Sequence, residues 1–236
     1  MVEPLFQAKV ECPQCEYEFV SSRVRPSFKK TIKSDTDFCM HYKDINPNYY
    51  VVRLCPACGF ASTENSKSRL TEANKQTYRR KLGDRFVYTK DYGVERTWDD
   101  ALHVFKLALV CAQTVDDDPR VLAGLLHHIA WLYRYKGDTV QEKRFLQYAL
   151  DEYLRSFERE ASETSNARLM YMMGELHRRL EQYKEAVKWF TRVINDKRIM
   201  DAGMIRACRE QWQHLREEMA EKKLELVTEE ETPGQT

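Results

Sequence analysis

The chain has 236 residues, of which 42% are hydrophobic and 32% are charged, so it can form a packed core beneath a charged surface. Its 38 Lys and Arg residues against 37 Asp and Glu residues give a formal net charge of +1, which excludes a strong overall attraction to nucleic acid or membrane. The sequence contains no apolar run of ~18 residues and no signal-peptide pattern, so we expect a cytoplasmic protein without a membrane segment.

The composition changes near residue 64. Five of the seven prolines and five of the seven cysteines precede that point, whereas helix-forming residues dominate after it. We predict a mainly α protein with four parts: a small β-rich module at 1–64, a connector at 65–96, a helical domain at 97–227 and a disordered acidic tail at 228–236.

Short strands are predicted within the N-terminal module. The stretches 6–10, 17–20 and 49–54 are rich in β-branched and aromatic residues. Two of these stretches flank a Cys-x-x-Cys motif, and the third runs into another. The module is therefore expected to present cysteine-bearing turns on hairpins, as a zinc ribbon does.

Two Cys-x-x-Cys motifs, Cys12 with Cys15 and Cys55 with Cys58, point to a metal site. Each turn directs two sulfur atoms to one point, and four thiolates from two turns form a tetrahedral shell that suits zinc. Gly59 follows the second motif, where a positive φ is expected. We predict a structural zinc ion, with a hairpin or loop filling the 39 residues between the two pairs.

Three alternatives to this zinc site remain open. A Cys-Pro-x-Cys motif also occurs in redox proteins at a strand-to-helix junction, although here a predicted strand follows Cys15. A shell of four thiolates also suits iron. Finally, Cys39 and His41 lie between the two motifs, and the third alternative is that one of them replaces or supplements a ligand, although packing is the more common role for such residues.

The segment 35–50 is rich in turn formers and aromatic residues. Asp35 and Asp37 belong to an Asp-Thr-Asp-Phe sequence, and an Asn-Pro-Asn-Tyr-Tyr sequence follows at 46–50. We expect turns whose aromatic rings pack over a module too small to have a deep core. A second metal site or a catalytic pair built on the two aspartates is a less favoured alternative.

The helical domain carries a spacing that resembles the tetratricopeptide repeat. Gly174 is followed by Ala186, Phe190 and Val193, and the same steps lead from Ala130 to residues 142, 146 and 149. The two units are 44 residues apart rather than the ~34 of a regular repeat. We therefore predict an irregular tetratricopeptide-like stack, with an ordinary helical bundle as the alternative.

Such stacks bind peptides on the exposed faces of their first helices, and the spacing predicts which side chains lie on those faces. Arginines beside aromatic rings suit an acidic peptide or a free carboxyl terminus. The predicted partner-binding residues are His127, Trp131, Arg134, Tyr135, Arg168, Tyr171, Arg178 and Arg179. An ordinary polar helix face is the equal alternative.

Positive charge is concentrated towards the N-terminus. Residues 1–96 hold 17 Lys and Arg against 12 Asp and Glu, a net of +5, and the remainder has a net of −4. Four thiolates around Zn²⁺ would contribute −2 and leave roughly +3. Nucleic-acid binding by this basic face is therefore possible but less favoured than binding of a protein or acidic peptide.

Five segments together resemble a known family. They are Cys-Pro-Gln-Cys at 12–15, Asp-Thr-Asp-Phe at 35–38, Asn-Pro-Asn-Tyr-Tyr at 46–50, Cys-Pro-Ala-Cys-Gly at 55–59 and Ala-Trp-Leu-Tyr-Arg at 130–134. With them the chain resembles an uncharacterised bacterial family known as domain of unknown function 2225. The resemblance implies a bacterial intracellular protein with a zinc-ribbon-like start and repeat helices, and it implies no activity.

The sequence shows no Ser-His-Asp constellation, phosphate-binding loop or metalloprotease motif. We therefore expect a non-enzymatic, zinc-stabilised adaptor that binds a protein partner through its helical repeats. The alternative is a zinc-ribbon nucleic-acid or ribonucleoprotein factor that uses the basic N-terminal face.

Overall fold

The computed structural model describes residues 2–160 and 166–230. Over these residues the chain is mainly helical, and a β-rich N-terminal region of short antiparallel strands precedes a stack of helices. The predicted fold class is confirmed at this level. The chain divides into two compact units, Met1–Glu152 and Tyr153–Thr236.

The N-terminal region contains three two-stranded antiparallel sheets. They pair β1 (Leu5–Glu11) with β2 (Glu18–Val24), β3 (Thr31–Ser34) with β4 (Met40–Tyr42), and β5 (Arg53–Leu54) with β6 (Ala61–Ser62). The last paired residues of the first sheet are Glu11 and Glu18, and those of the third are Leu54 and Ala61. Each Cys-x-x-Cys motif therefore lies in the turn of a hairpin, as predicted.

The predicted strand at 49–54 is largely wrong. A short 3-10 helix, Pro47–Tyr50, occupies its first part, and only Arg53–Leu54 forms a strand. The side chain of Asn46 accepts a hydrogen bond from the backbone N–H of Asn48, and Pro47 supplies a φ suited to the first turn of a helix. The local cap therefore outweighs the strand preference of the tyrosines and valines.

The helices are α1 (Glu72–Lys81), α2 (Trp98–Thr114), α3 (Pro119–Lys136), α4 (Thr139–Glu160), α5 (Ala167–Arg179), α6 (Tyr183–Asn195) and α7 (Ala202–Glu230). Thr97 and Asp100 form a capping box at the start of α2. Gly137 ends α3 with a φ of 73°, as the sequence predicts. Helix α7 continues through residue 230, so 228–230 are helical, and the rest of the predicted disordered tail, 231–236, lies outside the described residues.

The core of the first unit is shared by the β-rich module and the helices that follow it. Val52 and Phe60 from the module belong to the same buried cluster as Phe105 of α2 and Ile129 of α3. The predicted boundary at residue 64 therefore does not separate compact units, and the first unit runs to Glu152. A module of some sixty residues has little core of its own, and packing on the helices supplies it.

The second unit is built on α5, α6 and α7. Gly174 of α5 faces the ring of Phe190 of α6, and a Cβ at Gly174 would lie 2.7 Å from that ring. The small residue allows the two helices to approach closely, which is the packing that the spacing of the segment predicts. The tetratricopeptide-like repeat itself stays a prediction.

Candidate metal centre

The four cysteines of the two motifs lie together. Their sulfur atoms are all within 4.8 Å of one another, with 3.6 Å between Cys12 and Cys58 and 3.7 Å between Cys15 and Cys55. None of the four forms a disulfide. A tetrahedron with metal–sulfur bonds of ~2.3 Å has edges of about 3.8 Å, so the spacing fits a single four-coordinate ion.

The two cysteine turns have the same backbone geometry. In the first, the N–H of Glu16 donates to the carbonyl of Cys12, and in the second the N–H of Gly59 donates to the carbonyl of Cys55. The residue after each second cysteine has a positive φ, 62° at Glu16 and 73° at Gly59. The prediction for Gly59 is thus confirmed, and a Cβ there would also lie 2.2 Å from the ring of Phe86.

Helix α1 covers the centre and contacts both turns. Gln14 donates from Nε2 to the carbonyl of Lys75 at 3.0 Å, and the Tyr78 hydroxyl donates to the carbonyl of Cys58 at 2.9 Å. The Tyr78 ring, only 1% exposed, packs edge-on against Phe60 at 5.0 Å. The helix predicted only as a connector therefore joins the two halves of the site.

Burial of the sulfurs favours a bound cation. Cys12 is 1% exposed and Cys55 is fully buried, while Cys15 and Cys58 are partly exposed. Hydrogen bonds from Cys12 and Cys58 lower the pKa of Cys55, whereas hydrogen bonding to Cys12 and Cys55 raises the pKa of Cys58. A divalent cation would allow all four sulfurs to be thiolates at once, because its charge offsets their mutual repulsion.

The structure therefore contains a possible metal site of four sulfurs, and this part of the sequence prediction is confirmed. Soft thiolates in a tetrahedral arrangement suit zinc, and they also suit iron. Four sulfurs do not by themselves distinguish the two ions.

Cys39 and His41 do not join the four cysteines. They form a separate group with Asp35 in which the ligand atoms lie within 4.8 Å of one another. Asp35 Oδ2 is 2.8 Å from His41 Nε2 and accepts from Arg134 Nη1 at 2.9 Å. A guanidinium on the same oxygen disfavours a second cation there, so we interpret this group as part of a hydrogen-bond network.

Asp37 is the centre of that network and is fully buried. Its carboxylate forms a bidentate pair with Arg134, with 2.9 Å from Nη1 to Oδ1 and 2.7 Å from Nη2 to Oδ2. Trp131 Nε1 donates to Oδ2 at 3.0 Å, and His127 Nε2 lies 3.1 Å from the same oxygen. Arg134 Nε also donates to Glu142 at 2.7 Å.

The electrostatic consequence is seen at Asp35. Burial alone would raise the pKa of its carboxyl, but hydrogen bonds from His41 and Arg134 lower that pKa below its ordinary value. The segment 35–41 is therefore held on α3 by charge-assisted hydrogen bonds, which are stronger than neutral ones.

These two features, the cysteine turns and the Asp-Thr-Asp-Phe segment docked on α3, coincide with a family match over most of the chain. The model of a family described as an uncharacterised protein conserved in bacteria (DUF2225) matches residues 5–215. The chain belongs to this family. Among curated proteins, no match was found. Membership in DUF2225 confirms the resemblance noted from the five segments and assigns no activity to this chain.

For this DUF2225 member, the exposed face predicted on α3 is wrong. His127 is 2% exposed, and the side chains of His127, Trp131 and Arg134 all face Asp37. Tyr135 is also engaged, because its hydroxyl accepts from Asn48 Nδ2 at 2.8 Å and donates to the carbonyl of Met40 at 2.9 Å. The segment 35–48 therefore covers the face of α3 that the sequence pattern predicts to be exposed.

The predicted residues of α5 differ in their placement. Tyr171 is 3% exposed, so it does not lie on an open face, whereas Arg168 is exposed. Arg178 and Arg179 both pair with the buried Glu175, at 2.9 and 2.8 Å, and Arg178 also pairs with Glu218. Their charges are thus neutralised within the second unit, and an exposed arginine cluster is not formed by these two residues.

The sequence alone did not reveal the pairing of Asp37 with Arg134, although both belong to segments that carry the family resemblance. It also missed Arg96, whose Nη1 donates to the carbonyls of Tyr49 and Val52 at 3.0 and 2.7 Å. The signal in the sequence that could have revealed the pairing of Arg134 was its position, since it is a charged residue at the end of the apolar stripe of α3.

Within the described residues, no helix combines the length and apolarity needed to cross a membrane.

Proposed function

We propose that this protein is a non-enzymatic, cytoplasmic adaptor whose N-terminal module is held by a structural zinc ion and whose helices bind a protein partner. The observation that carries the proposal is the closed set of four sulfurs from Cys12, Cys15, Cys55 and Cys58, covered by α1. Catalytic zinc sites have three protein ligands and keep a position for water or substrate. Four cysteine ligands leave no such position, which favours a structural role.

Zinc is favoured over iron because the ion would support the fold. The sulfurs of Cys12 and Cys55 belong to the same buried cluster as Phe105 and Ile129, so the ion would lie at the edge of the main core of the first unit. A redox-inert ion suits this place, since its charge and geometry stay constant. Free cysteines at such a site also require a reducing compartment, which supports a cytoplasmic location.

The partner surface is proposed on the second unit. Arg192 is exposed, and its guanidinium lies 4.8 Å from the ring centroid of Phe157 and 5.5 Å from that of Trp189. The two rings are half-buried and meet edge to face at 5.2 Å. We call Phe157, Trp189 and Arg192 the aromatic–arginine cluster. Among the described residues Arg192 forms no ion pair with a carboxylate, which leaves its charge available to an acidic partner.

This cluster has the composition of an interaction hot spot. Tryptophan and arginine are enriched where interfaces gain most of their energy, and a guanidinium already stacked on rings loses little freedom when it binds a carboxylate. An acidic segment or a carboxyl terminus would pair with Arg192 through two parallel hydrogen bonds. The proposed partner therefore has the acidic chemistry that the sequence predicts, but its binding surface is the aromatic–arginine cluster rather than α3.

The test is affinity purification from the native host with three forms of the full zinc-loaded chain. Arg192→Ala removes the exposed charge of the cluster, and Arg206→Ala removes an exposed arginine of α7 as a matched control. We expect one protein to co-purify in stoichiometric amount with wild type and Arg206→Ala, and to be reduced at least tenfold with Arg192→Ala. Reconstitution from purified components then gives the dissociation constants. Identical protein profiles for all three forms would contradict the proposed surface.

A further inference from the structure

A basic cleft lies in the first unit, on the side of the module formed by β2, β4 and β5. Its volume is about 420 Å³, and its walls include Phe6, Arg23, Lys29, Tyr42, Tyr50 and Arg53. We call it the basic cleft. Its volume falls in the range of ~300–1,000 Å³ that is typical of small-molecule sites. The cysteine centre and the aromatic–arginine cluster do not contribute to it.

Arg53 is the residue of the cleft whose hydrogen bonding is incomplete. Its Nη2 donates to the carbonyl of Thr63 at 2.6 Å, but its Nε is buried and has no hydrogen-bond partner among the described residues. A buried donor without an acceptor is costly, so such groups usually meet a ligand or water. Arg53 also lines the cleft, so an anion there would lie beside its guanidinium and offset its charge.

The charges of the cleft are unbalanced. Arg23, Lys29 and Arg53 contribute three positive charges, and Glu64 contributes one negative charge, which is paired with Arg23. Burial lowers the pKa of Arg53, Glu64 partly offsets this effect, and Arg23 opposes Glu64 by repulsion. An anion between these groups would relieve both the repulsion and the loss of hydration.

The rest of the wall is aromatic. Phe6 and Tyr42 are half-buried and line the cleft together with the largely buried Tyr50. Aromatic rings stack with planar ligand groups, whereas guanidinium groups bind phosphate oxygens in a bidentate manner. A ligand that combines a phosphate with a planar ring matches both parts of the wall.

We propose that the basic cleft binds a phosphate-bearing ligand of mononucleotide size, with the phosphate held by Arg53 and Lys29 and the base beside the aromatic wall. The same chemistry is offered by a free nucleotide and by the phosphorylated end of a single-stranded nucleic acid. This inference does not depend on the proposed adaptor role, since it rests on a different surface.

The test is calorimetric titration of the full zinc-loaded chain with defined probes. The probes are inorganic phosphate, adenosine, adenosine 5′-monophosphate and a 5′-phosphorylated RNA tetranucleotide. We expect adenosine 5′-monophosphate to bind at least tenfold more tightly than adenosine. Equal affinity for the tetranucleotide and the monophosphate identifies a free nucleotide as the ligand, and affinity for the tetranucleotide at least tenfold higher identifies a nucleic-acid end.

Variants locate the binding. Lys29→Met and Arg53→Met each remove a charge from the cleft and should lower the affinity for adenosine 5′-monophosphate. The decrease should be at least tenfold for Arg53→Met, because a charge-assisted hydrogen bond is lost. Lys30→Met is the matched control, since Lys30 is exposed and lies outside the cleft wall. Glu64→Gln removes the opposing carboxylate and should strengthen binding. Lys29 is exposed, so its variant keeps the test valid if Arg53→Met fails to fold.

Two results would overturn the proposal. One is that no phosphate-bearing probe binds at millimolar concentration. The other is that the affinity for adenosine 5′-monophosphate is the same in wild type, Lys29→Met and Lys30→Met.

Discussion

Arg134 forms a bidentate ion pair with Asp37, and the two residues are 97 positions apart in the chain. The Asp37 carboxylate is fully buried, and the guanidinium of Arg134, the N–H of Trp131 and the ring of His127 replace the water that it loses on folding. The pair therefore holds the segment after β3 against the last turn of α3. It places a strong long-range constraint on the first unit.

Removing Arg134 is expected to destabilise the protein strongly. Arg134→Ala leaves a buried, unpaired carboxylate at Asp37, so the free energy of unfolding should fall by roughly 3–5 kcal/mol. Arg134→Lys keeps the charge but loses the two-pronged geometry, and its effect should be smaller. Urea denaturation followed by circular dichroism measures both.

The matched control is Arg80→Ala, because Arg80 is exposed on α1. Its free energy of unfolding should stay within about 0.5 kcal/mol of wild type. The double variant Asp37→Ala with Arg134→Ala should be clearly less destabilised than the sum of the single variants. Additive effects would show that the two residues do not stabilise each other.

Tyr78 is expected to connect α1 to the metal centre. Tyr78→Phe keeps the ring on Phe60 but leaves the carbonyl of Cys58 without its hydroxyl donor, which should cost about 1–2 kcal/mol. Loss of such an outer hydrogen bond should also weaken metal binding by at least ~10-fold. Competition with a coloured chelator measures the affinity.

The control for that change is Tyr88→Phe, which removes a hydroxyl that donates to Asp91 at an exposed position. Its metal affinity should equal that of wild type. If Tyr78→Phe releases metal no more readily than Tyr88→Phe, α1 does not support the centre.

Two helical glycines should respond to alanine in opposite directions. At Gly174 a new Cβ would lie 2.7 Å from the Phe190 ring, so Gly174→Ala should destabilise the second unit by about 1–3 kcal/mol through overpacking. At Gly124 nothing lies within 4 Å of the new Cβ, so Gly124→Ala should stabilise α3 by up to ~1 kcal/mol. Thermal unfolding of both variants gives the signs. A Gly174→Ala variant that is as stable as wild type would contradict the close approach of α5 and α6, and a destabilised Gly124→Ala variant would contradict the open space at Gly124.

His128 should make the protein sensitive to mild acid. Its ring packs between Phe105 and Trp131, and burial lowers its pKa to about 4. Between pH 6.5 and 4 the unfolded chain binds a proton at this position that the folded chain does not, so stability falls as the pH is lowered through this window. The loss attributable to His128 should be about 2 kcal/mol by pH 5.

His128→Phe keeps the stacking and removes the titration. The difference in unfolding free energy between pH 7 and pH 5 should therefore be smaller in the variant than in wild type. The zinc content is measured at both pH values, so that loss of metal is separated from protonation of the ring. A pH dependence that the substitution leaves unchanged would contradict this role of His128.

The lowered pKa of Asp35 affects stability in a different pH window. Its stabilising effect is lost only when the pH falls below ~4.

The parts of the structure that depend on local chemistry were predictable from the sequence. The spacing of Cys12 and Cys15, and of Cys55 and Cys58, defines turns whose geometry involves few other residues, and Gly59 adopts the positive φ that such a turn needs. Gly137 likewise ends α3 where the sequence places a stop. These features need no knowledge of distant contacts.

The parts that depend on distant contacts were not predictable. Helical periodicity places Trp131 and Arg134 on a defined face of α3, but it does not state what covers that face. The cover is Asp37 and its neighbours, and a polar residue in a turn-forming segment gives no periodic signal of its own burial. The prediction that these side chains of α3 lie on an exposed face was therefore wrong.

The most direct test of this account is the metal content of the purified full chain and of its cysteine variants. Native mass spectrometry together with elemental analysis should find one zinc ion per chain in the wild type, and none in the double variant Cys12→Ser with Cys58→Ser. The variant should also unfold at a lower temperature, because the two cysteine turns are no longer tied together. A wild-type chain that contains no transition metal, and that unfolds at the same temperature as the variant, would contradict the account.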